Sequence, residues 1–160
     1  MRGEHSVNTP PRSKLAGLCA LLNAEEARYL VVGATAMQLW GTTRATRDID
    51  ILIEPTLTNA ERVLRALGRL PFGVAREIDA RDLISRVVTM VRDAPNVDVL
   101  TRAWNVTWGD AERDFAVFDV EDVPIPTVSL ARLIESKRTG RTQDTADIER
   151  LEALQRLRRD

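Results

Sequence analysis

Two aspartates stand one residue apart in the first half of the chain, in the stretch Asp48-Ile-Asp50. In a β-strand, residues two apart project from the same face, so both carboxylates would point together while the isoleucines enter the core. Two carboxylates this close repel each other, and the pKa of one would rise unless a cation lay between them. Mg²⁺, with Mn²⁺ as an alternative, is the expected cation, because it prefers carboxylate oxygens, water and substrate phosphate.

A third carboxylate, Asp98, lies among apolar residues in the later run Val97–Leu100. If the two strands are neighbours, Asp48, Asp50 and Asp98 converge on one point and could hold a metal ion together. The alternative for each residue alone is structural: Asp48 opens a strand, Asp50 lies on a solvated face and Asp98 follows a turn.

A glycine turn precedes the aspartates. The apolar run Tyr29–Val32 predicts a buried strand, Gly33 permits a tight turn, and a helix follows at once through Ala34 and Thr35. Backbone N–H groups at a helix start can bind phosphate. Strand-glycine-helix turns are common, so this turn alone does not establish a phosphate site.

The basic residues of the chain are almost all arginine, and Lys14 and Lys137 are its only lysines. Lys137 follows an apolar helical stripe, so it either contacts phosphate or is a solvated surface lysine. Arg44 and Arg47 immediately precede the aspartate pair. They could hold a triphosphate or neutralise the carboxylates, and the sequence leaves both interpretations open.

The elements that must position these residues follow from hydrophobic periodicity and turn residues. We expect a tail over residues 1–12 and a single α+β domain over 13–160, with a mixed sheet flanked by helices. Predicted helices cover 13–26, 34–40, a segment opened by the capping box Thr58-Asn-Ala-Glu61, 129–139 and 144–157. Predicted strands cover 29–32, 48–53, 87–91, 97–100, 115–120 and 123–126, the last two as a hairpin at a sheet edge because of its prolines.

Composition excludes several classes of protein. The 160 residues are 44% hydrophobic and 29% charged, with a net charge of -1, which is typical of a globular protein and excludes a strongly basic nucleic-acid coat. One cysteine, Cys19, and one histidine, His5, exclude an intrachain disulfide and a Cys/His zinc site. Without a signal peptide or a membrane-spanning run, a cytoplasmic protein without a membrane partner is expected.

Three stretches together resemble the nucleotidyltransferase superfamily related to DNA polymerase β. They are Gly33–Ala36, the run Gly41–Leu52 that contains Asp-x-Asp, and Val97–Val99. The ending, Ser129–Lys137 followed by Gly140-Arg141 and Asp144-Thr-Ala-Asp147-Ile148, looks like the C-terminal helices of AbiEii/AbiGii toxin-type nucleotidyltransferases. The resemblance covers about residues 29–152.

This resemblance implies a fold and a set of roles. The fold would be the polymerase-β-like α+β fold with closing C-terminal helices. The implied metal ligands are Asp48, Asp50 and Asp98, and the implied nucleotide contacts are Gly33, Ala34, Thr35, Arg44 and Lys137. Asp144 would support the basic residues of the last helices. Ala34 departs from the family pattern, which has glycine or serine there, so a hydroxyl contact to phosphate is missing.

The implied reaction is nucleotidyl transfer from an NTP to an acceptor hydroxyl, with Mg²⁺ bound by the carboxylates, Lys137 neutralising charge and Asp98 as general base. The AbiEii-type ending favours an RNA 3′ end, in particular that of tRNA, or a protein hydroxyl as acceptor, in a toxin–antitoxin setting with an antitoxin protein as partner. Two alternatives remain: a small-molecule transferase of the antibiotic-modifying kind, and a catalytically silent nucleotide-fold module that binds a partner protein.

Overall fold

The computed structural model describes residues 12–43 and 45–159. Its strands are β1 (Tyr29–Val32), β2 (Ile49–Ile53), β3 (Val88–Val91), β4 (Val97–Leu100), β5 (Arg102–Ala103), β6 (Val106–Thr107), β7 (Ala116–Val120) and β8 (Val123–Thr127). Its α-helices are α1 (Lys14–Ala24), α2 (Gly33–Trp40), α3 (Leu57–Leu67), α4 (Ala80–Ser85), α5 (Trp108–Ala111), α6 (Leu130–Ser136) and α7 (Thr142–Arg159). A 3₁₀ turn covers Val74–Glu77.

Within these residues, six strands form one mixed sheet in the order β3-β4-β2-β1-β8-β7. The pairs β1–β2, β3–β4 and β7–β8 are antiparallel, whereas β2–β4 and β1–β8 are parallel. Strands β5 and β6 form a separate small hairpin. Helices pack on this sheet, so the predicted α+β class with a mixed sheet flanked by helices is confirmed.

The register between β2 and β4 decides which side chains share a face. Asp50 lies directly opposite Asp98, and Ile51 lies opposite Val99. Because side chains alternate along a strand, the two aspartates lie on one face and the two apolar residues on the other. Ile51 and Val99 are buried, which makes this register the one that keeps the apolar side chains in the core.

The start of α1 and the end of α2 lie where turn chemistry predicts. The Ser13 hydroxyl accepts a hydrogen bond from the Ala16 N–H at 3.2 Å, which satisfies one free donor at the start of α1. Helix α2 ends at Gly41, whose φ of 118° is readily accessible only to glycine. The predicted start of α1 and the whole predicted range of α2 therefore agree with the structure.

The predicted start of α3 is wrong by two residues. Thr56, not Thr58, is the N-cap, and its hydroxyl accepts from the Asn59 N–H at 3.2 Å. Asn59 is buried and bonds three backbone groups, Arg28 N, Arg28 O and Glu54 O. Those contacts, with the residue before β1 and the residue after β2, set the helix start. A local capping pattern does not contain them.

The prolines of the predicted edge hairpin do not mark the edge strand itself. Strand β7 is the edge, and β8, which carries Pro124 and Pro126, lies between β7 and β1. The pairing between β8 and β1 is short, with Val31 opposite Thr127, so the prolines precede the part of β8 that pairs with β1. Proline is tolerated there because no ladder hydrogen bond on that side requires its N–H.

Several boundaries and small elements differ from the sequence-based prediction. The sequence predicts no element within 71–85, and the structure has the 3₁₀ turn and α4 there. The sequence also does not predict the β5–β6 hairpin or α5. Helix α6 ends at Ser136, earlier than predicted, and α7 begins at Thr142. No helix in the described part of the chain has both the length and the apolar character needed to cross a membrane.

Candidate active site

The centre of the candidate site is a pair of carboxyl groups on adjacent strands. Asp50 of β2 and Asp98 of β4 are register partners, and their side chains are within hydrogen-bond reach of each other. Burial and the charge of Asp98 raise the pKa of Asp50 to about 7. Burial and the charge of Asp48 also raise the pKa of Asp98. Like charges are thus concentrated at one partly buried point.

Asp48 lies just before β2, so it is one position outside the strand in which it was predicted. Its carboxylate is 3.7 Å from the Arg92 guanidinium, and its charge acts on both Asp50 and Asp98. Across residues 12–43 and 45–159, no three Asp, Glu, His or Cys side chains already form a metal-binding group. Asp48 therefore flanks the Asp50–Asp98 pair without completing a cluster with it.

Gly33 brings the start of α2 against the carboxylate pair. A Cβ atom at this position would clash with Asp50 Oδ2, and the φ of Gly33 is 67°. Only a residue without a Cβ fits so close an approach in this left-handed conformation. The glycine thereby places the N-terminus of an eight-residue helix beside the two aspartates.

Ala34 and Thr35 follow in the first turn of α2 and differ in exposure. Ala34 is partly exposed and offers only backbone atoms to a ligand. Thr35 is 4% exposed, and its hydroxyl donates to the Asp48 carbonyl at 3.5 Å. The hydroxyl of Thr35 therefore faces into the protein and is not in place to substitute for the missing serine hydroxyl at position 34.

Lys137 lies at the end of α6 and is held by two aspartates of α7. Its Nζ is 3.4 Å from Asp147 Oδ2 and 3.7 Å from Asp144 Oδ1, and both carboxylates are almost completely buried. The positive charge of Lys137 also opposes the rise in the pKa of Asp50. With 15% of its side chain exposed, Lys137 is not a solvated surface lysine.

Asp144 gathers the basic groups at the junction of α6 and α7. It accepts from the Arg141 guanidinium at 2.7 and 2.8 Å and from the Thr139 hydroxyl. Burial opposes ionisation of Asp144, but these hydrogen bonds and the charge of Lys137 outweigh it and lower its pKa. Asp144 thus remains a carboxylate that fixes the cations next to it.

A pocket of about 210 Å³ connects these groups. It brings together residues from β1–α2, β2, β4, the β5–β6 hairpin and the α6–α7 junction. Its lining residues are Val32, Gly33, Asp50, Leu100, Ala103, Trp104, Ser136, Lys137, Thr139, Arg141 and Asp144. A larger groove of about 720 Å³ lies elsewhere, along α3, the 3₁₀ turn and α4, and contains none of the predicted site residues.

The structure as a whole can be compared with known proteins. A solved structure from Thermotoga maritima, provisionally described as a nucleotidyltransferase, aligns with 99% of this chain and 93% of its own, at a TM-score of 0.51 and 18% identity. Such a likeness establishes the arrangement of helices and strands. The chain therefore shares the fold of that protein. Scans of the sequence against protein-family models and curated proteins give no significant match.

Within this fold, the residues predicted from the sequence fall into three groups. Gly33, Asp50 and Lys137 line one pocket, and Asp98 pairs with Asp50 at its side. Asp48, Ala34 and Thr35 are close in the chain to these residues but do not line the pocket. Arg44 lies outside the described residues, so its predicted triphosphate contact stays a prediction.

Sequence reasoning missed several side chains of the site, among them Arg92 and Trp104. Arg92 follows β3 and contacts Asp48, and Trp104 lies in the β5–β6 turn and lines the pocket. Neither residue belongs to a motif of the sequence. The local signal for Trp104 is only that a large aromatic residue stands in a turn. The sequence does not place it at the pocket, because the pocket is formed by segments that are distant in the chain.

Proposed function

We propose that this chain is a divalent-metal-dependent nucleotidyltransferase that moves a nucleotide from an NTP to an acceptor hydroxyl. The parallel register that sets Asp50 opposite Asp98, beside the start of α2, supports the proposal most directly. A carboxylate pair supplies ligands for cations, and the helix N-terminus and Lys137 supply positive charge for phosphate. The fold shared with a solved structure that is provisionally described as a nucleotidyltransferase agrees with this chemistry.

The residues present fit a bound divalent cation. Asp98 Oδ1 is buried and has no hydrogen-bond partner among the described residues, and the carboxyl group of Asp50 has a raised pKa beside it. An unpaired oxygen and a repelling carboxylate are both stabilised when a cation occupies the space between them. Asp50 and Asp98 would hold the ion. Asp48 would become a third ligand if its ion pair with Arg92 were broken.

Bound cations would screen the triphosphate charge and lower the pKa of the acceptor hydroxyl. The chain's own residues bind and orient the substrate. Backbone N–H groups at Gly33 and Ala34 would bind the phosphates, and Lys137, held by Asp144 and Asp147, would compensate the charge of the leaving pyrophosphate. Asp98, whose pKa is raised, would take the proton from the acceptor hydroxyl.

The proposed acceptor is RNA, with a tRNA 3′ end as the specific case, and a toxin–antitoxin system with an antitoxin partner as the setting. This part of the proposal rests on the sequence resemblance of Ser129–Lys137 and Asp144–Ile148 to AbiEii-type proteins. The C-terminal stretch 131–160 also has a slight excess of basic over acidic residues, which favours contact with a polyanion only weakly.

The decisive experiment incubates the purified protein with each α-labelled NTP, Mg²⁺ and total RNA, and then locates the label. We expect label on RNA with the wild type. Asp98→Asn and Asp50→Asn should abolish transfer, because a neutral amide is a far poorer ligand for Mg²⁺ than a carboxylate. Asp119→Asn, on the exposed edge strand β7, removes the same charge away from the pocket and should transfer normally.

Each other outcome supports a different function. Label on a small hydroxylated compound added as co-substrate would favour the antibiotic-modifying alternative. Nucleotide binding without transfer to any acceptor would favour the silent module, and Ala34→Ser would then test whether the missing hydroxyl is the reason. Expression in bacteria tests the toxin setting, since the wild type should slow growth while Asp98→Asn should not.

A further inference from the structure

The lining residues of the candidate pocket have two different chemical characters. Lys137 and Arg141 lie near the start of α2, which is where phosphate charge would be compensated. Leu100, Ala103 and Trp104 also line the pocket and offer apolar and aromatic surface. A nucleotide likewise combines a polyanionic chain with a flat aromatic base, so both kinds of lining residue have a counterpart in one molecule.

Trp104 is held in place although it is mostly exposed. Trp104 is 59% exposed, so most of its indole is not covered by protein. Its Nε1–H donates to the Arg138 carbonyl at 3.1 Å, next in sequence to Lys137. This hydrogen bond ties the β5–β6 turn to the α6–α7 junction and fixes the edge of the indole while its ring face remains available.

The backbone at Trp104 supports a role beyond packing. Its φ is 57°, a left-handed conformation that is unfavourable for a residue with a Cβ. Glycine or asparagine would relieve this strain in a turn, and the neighbouring residue is Asn105. The fold thus places a large aromatic side chain at a strained and exposed position, and neither its burial nor its turn conformation accounts for tryptophan there.

We propose that Trp104 is the base platform of the site: its indole stacks on the nucleobase of the NTP while Lys137 and the start of α2 contact the phosphates. This inference rests on the proposed function and deepens it. Stacking on an aromatic ring is tolerant of base identity, because every base has a π-face. Trp104 therefore discriminates a nucleoside triphosphate from inorganic triphosphate, rather than one base from another.

The test compares binding of Mg·NTP and Mg·tripolyphosphate by calorimetry, since tripolyphosphate retains the anionic part and lacks the base. In Trp104→Ala we expect the affinity for each NTP to fall at least about fivefold, the lower end for loss of one base–aromatic stack. Affinity for tripolyphosphate should be unchanged. Trp104→Phe should restore part of the NTP affinity, and Phe72→Ala, which removes an exposed aromatic side chain away from the pocket, should leave both affinities unchanged.

A fluorescence titration of the wild type gives a second measurement that needs no truncated variant. Saturating NTP should quench tryptophan emission and tripolyphosphate should not. Trp104→Phe should lose the quenching, because Trp40 and Trp108 do not line the pocket. NTP affinity that is equal in the wild type and Trp104→Ala, without quenching, overturns the platform while leaving the proposed function intact. A wild type that binds neither NTP nor tripolyphosphate overturns both.

Discussion

At the scale of single residues, the site depends on contacts that leave little room for substitution. Gly33 touches the Asp50 carboxylate through the space where any other residue would carry its Cβ. Asp50 in turn is partly buried against Asp98. Gly33 thus restricts which residue the fold accepts at that position, and the buried carboxyl group of Asp50 lowers the stability of the fold. Both effects accompany the placement of charged groups close together, as is common at functional sites.

Gly33→Ala is expected to destabilise the protein by about 2–4 kcal/mol, because it adds left-handed strain to a steric clash with Asp50. Chemical denaturation measures the change. The matched control is Gly17→Ala within α1, where nothing lies within 4 Å of the added Cβ. Glycine in a helix costs about 0.5–1 kcal/mol relative to alanine, so this control should stabilise the protein. Equal effects of the two substitutions would contradict the close approach at Gly33.

Asp50→Asn is expected to make the metal-free protein more stable at pH 8 and to have little effect near pH 4. The pKa of Asp50 is about 7 in the folded state, above its unfolded value, so the fold favours the protonated form. The stability of the wild type must then fall as the pH rises from about 4 to 7 and stay lower above that.

The measurement is the free energy of unfolding of both proteins against pH in EDTA. At about 1.4 kcal/mol per pKa unit, the advantage of Asp50→Asn at pH 8 should reach about 2–4 kcal/mol. Asp119→Asn, on the exposed edge strand, should show no such pH-dependent advantage. A wild type that is the more stable protein at pH 8 would show that Asp50 is stabilised as a carboxylate.

At the scale of elements, the ends of helices decide where the functional residues lie. Helix α2 begins at Gly33, and α6 ends just before Lys137, so both ends face the same pocket. Buried Asp144 and Asp147 of α7 then hold the lysine against that pocket. Helix α3, by contrast, lies away from this pocket and lines the larger groove.

Thr56→Ala tests which residue starts α3. Loss of the hydroxyl that accepts from the Asn59 N–H should cost about 1 kcal/mol, the usual effect of removing an N-cap. Thr58→Ala, two residues later on the exposed side of the first turn, should change stability by less than about 0.5 kcal/mol. Thermal and urea unfolding measure the loss of stability in each variant. A larger loss in Thr58→Ala than in Thr56→Ala would support the capping box that the sequence alone predicted.

At the scale of the whole molecule, the pocket joins segments that are far apart in the chain. The start of α2, strands β2 and β4, the β5–β6 turn and the α6–α7 junction each supply at least one of its residues. A ligand that contacts all of them links the sheet to the C-terminal helices. Binding should therefore stabilise the folded state as a unit.

Mg·NTP at a hundred times its dissociation constant should add about 2.7 kcal/mol to the free energy of unfolding. For a chain of this length, that corresponds to a rise in Tm of roughly 5–10 °C. Differential scanning calorimetry checks the shift, with Asp98→Asn as the variant expected to lose the Mg²⁺-dependent part. An equal shift in that variant would place the binding of Mg·NTP away from the carboxylate pair.

The sequence by itself determined the features that depend on near neighbours. Apolar alternation identified β2 and β4, the Ser13 cap and Gly41 bounded α1 and α2, and the spacing of Gly33, Asp50 and Asp98 indicated chemistry on strands. These features follow from local backbone preferences and from which side chains avoid water, so they can be read from a short window of residues.

The tertiary structure alone decided which of those residues meet. The parallel register of β2 and β4 pairs Asp50 with Asp98, and packing of α7 against α6 buries Asp144 and Asp147 around Lys137. It also brought in Trp104, which no motif marks. The physical reason is that pairing register and helix packing are set by burial of apolar surface from distant segments together, and a local pattern does not contain that information.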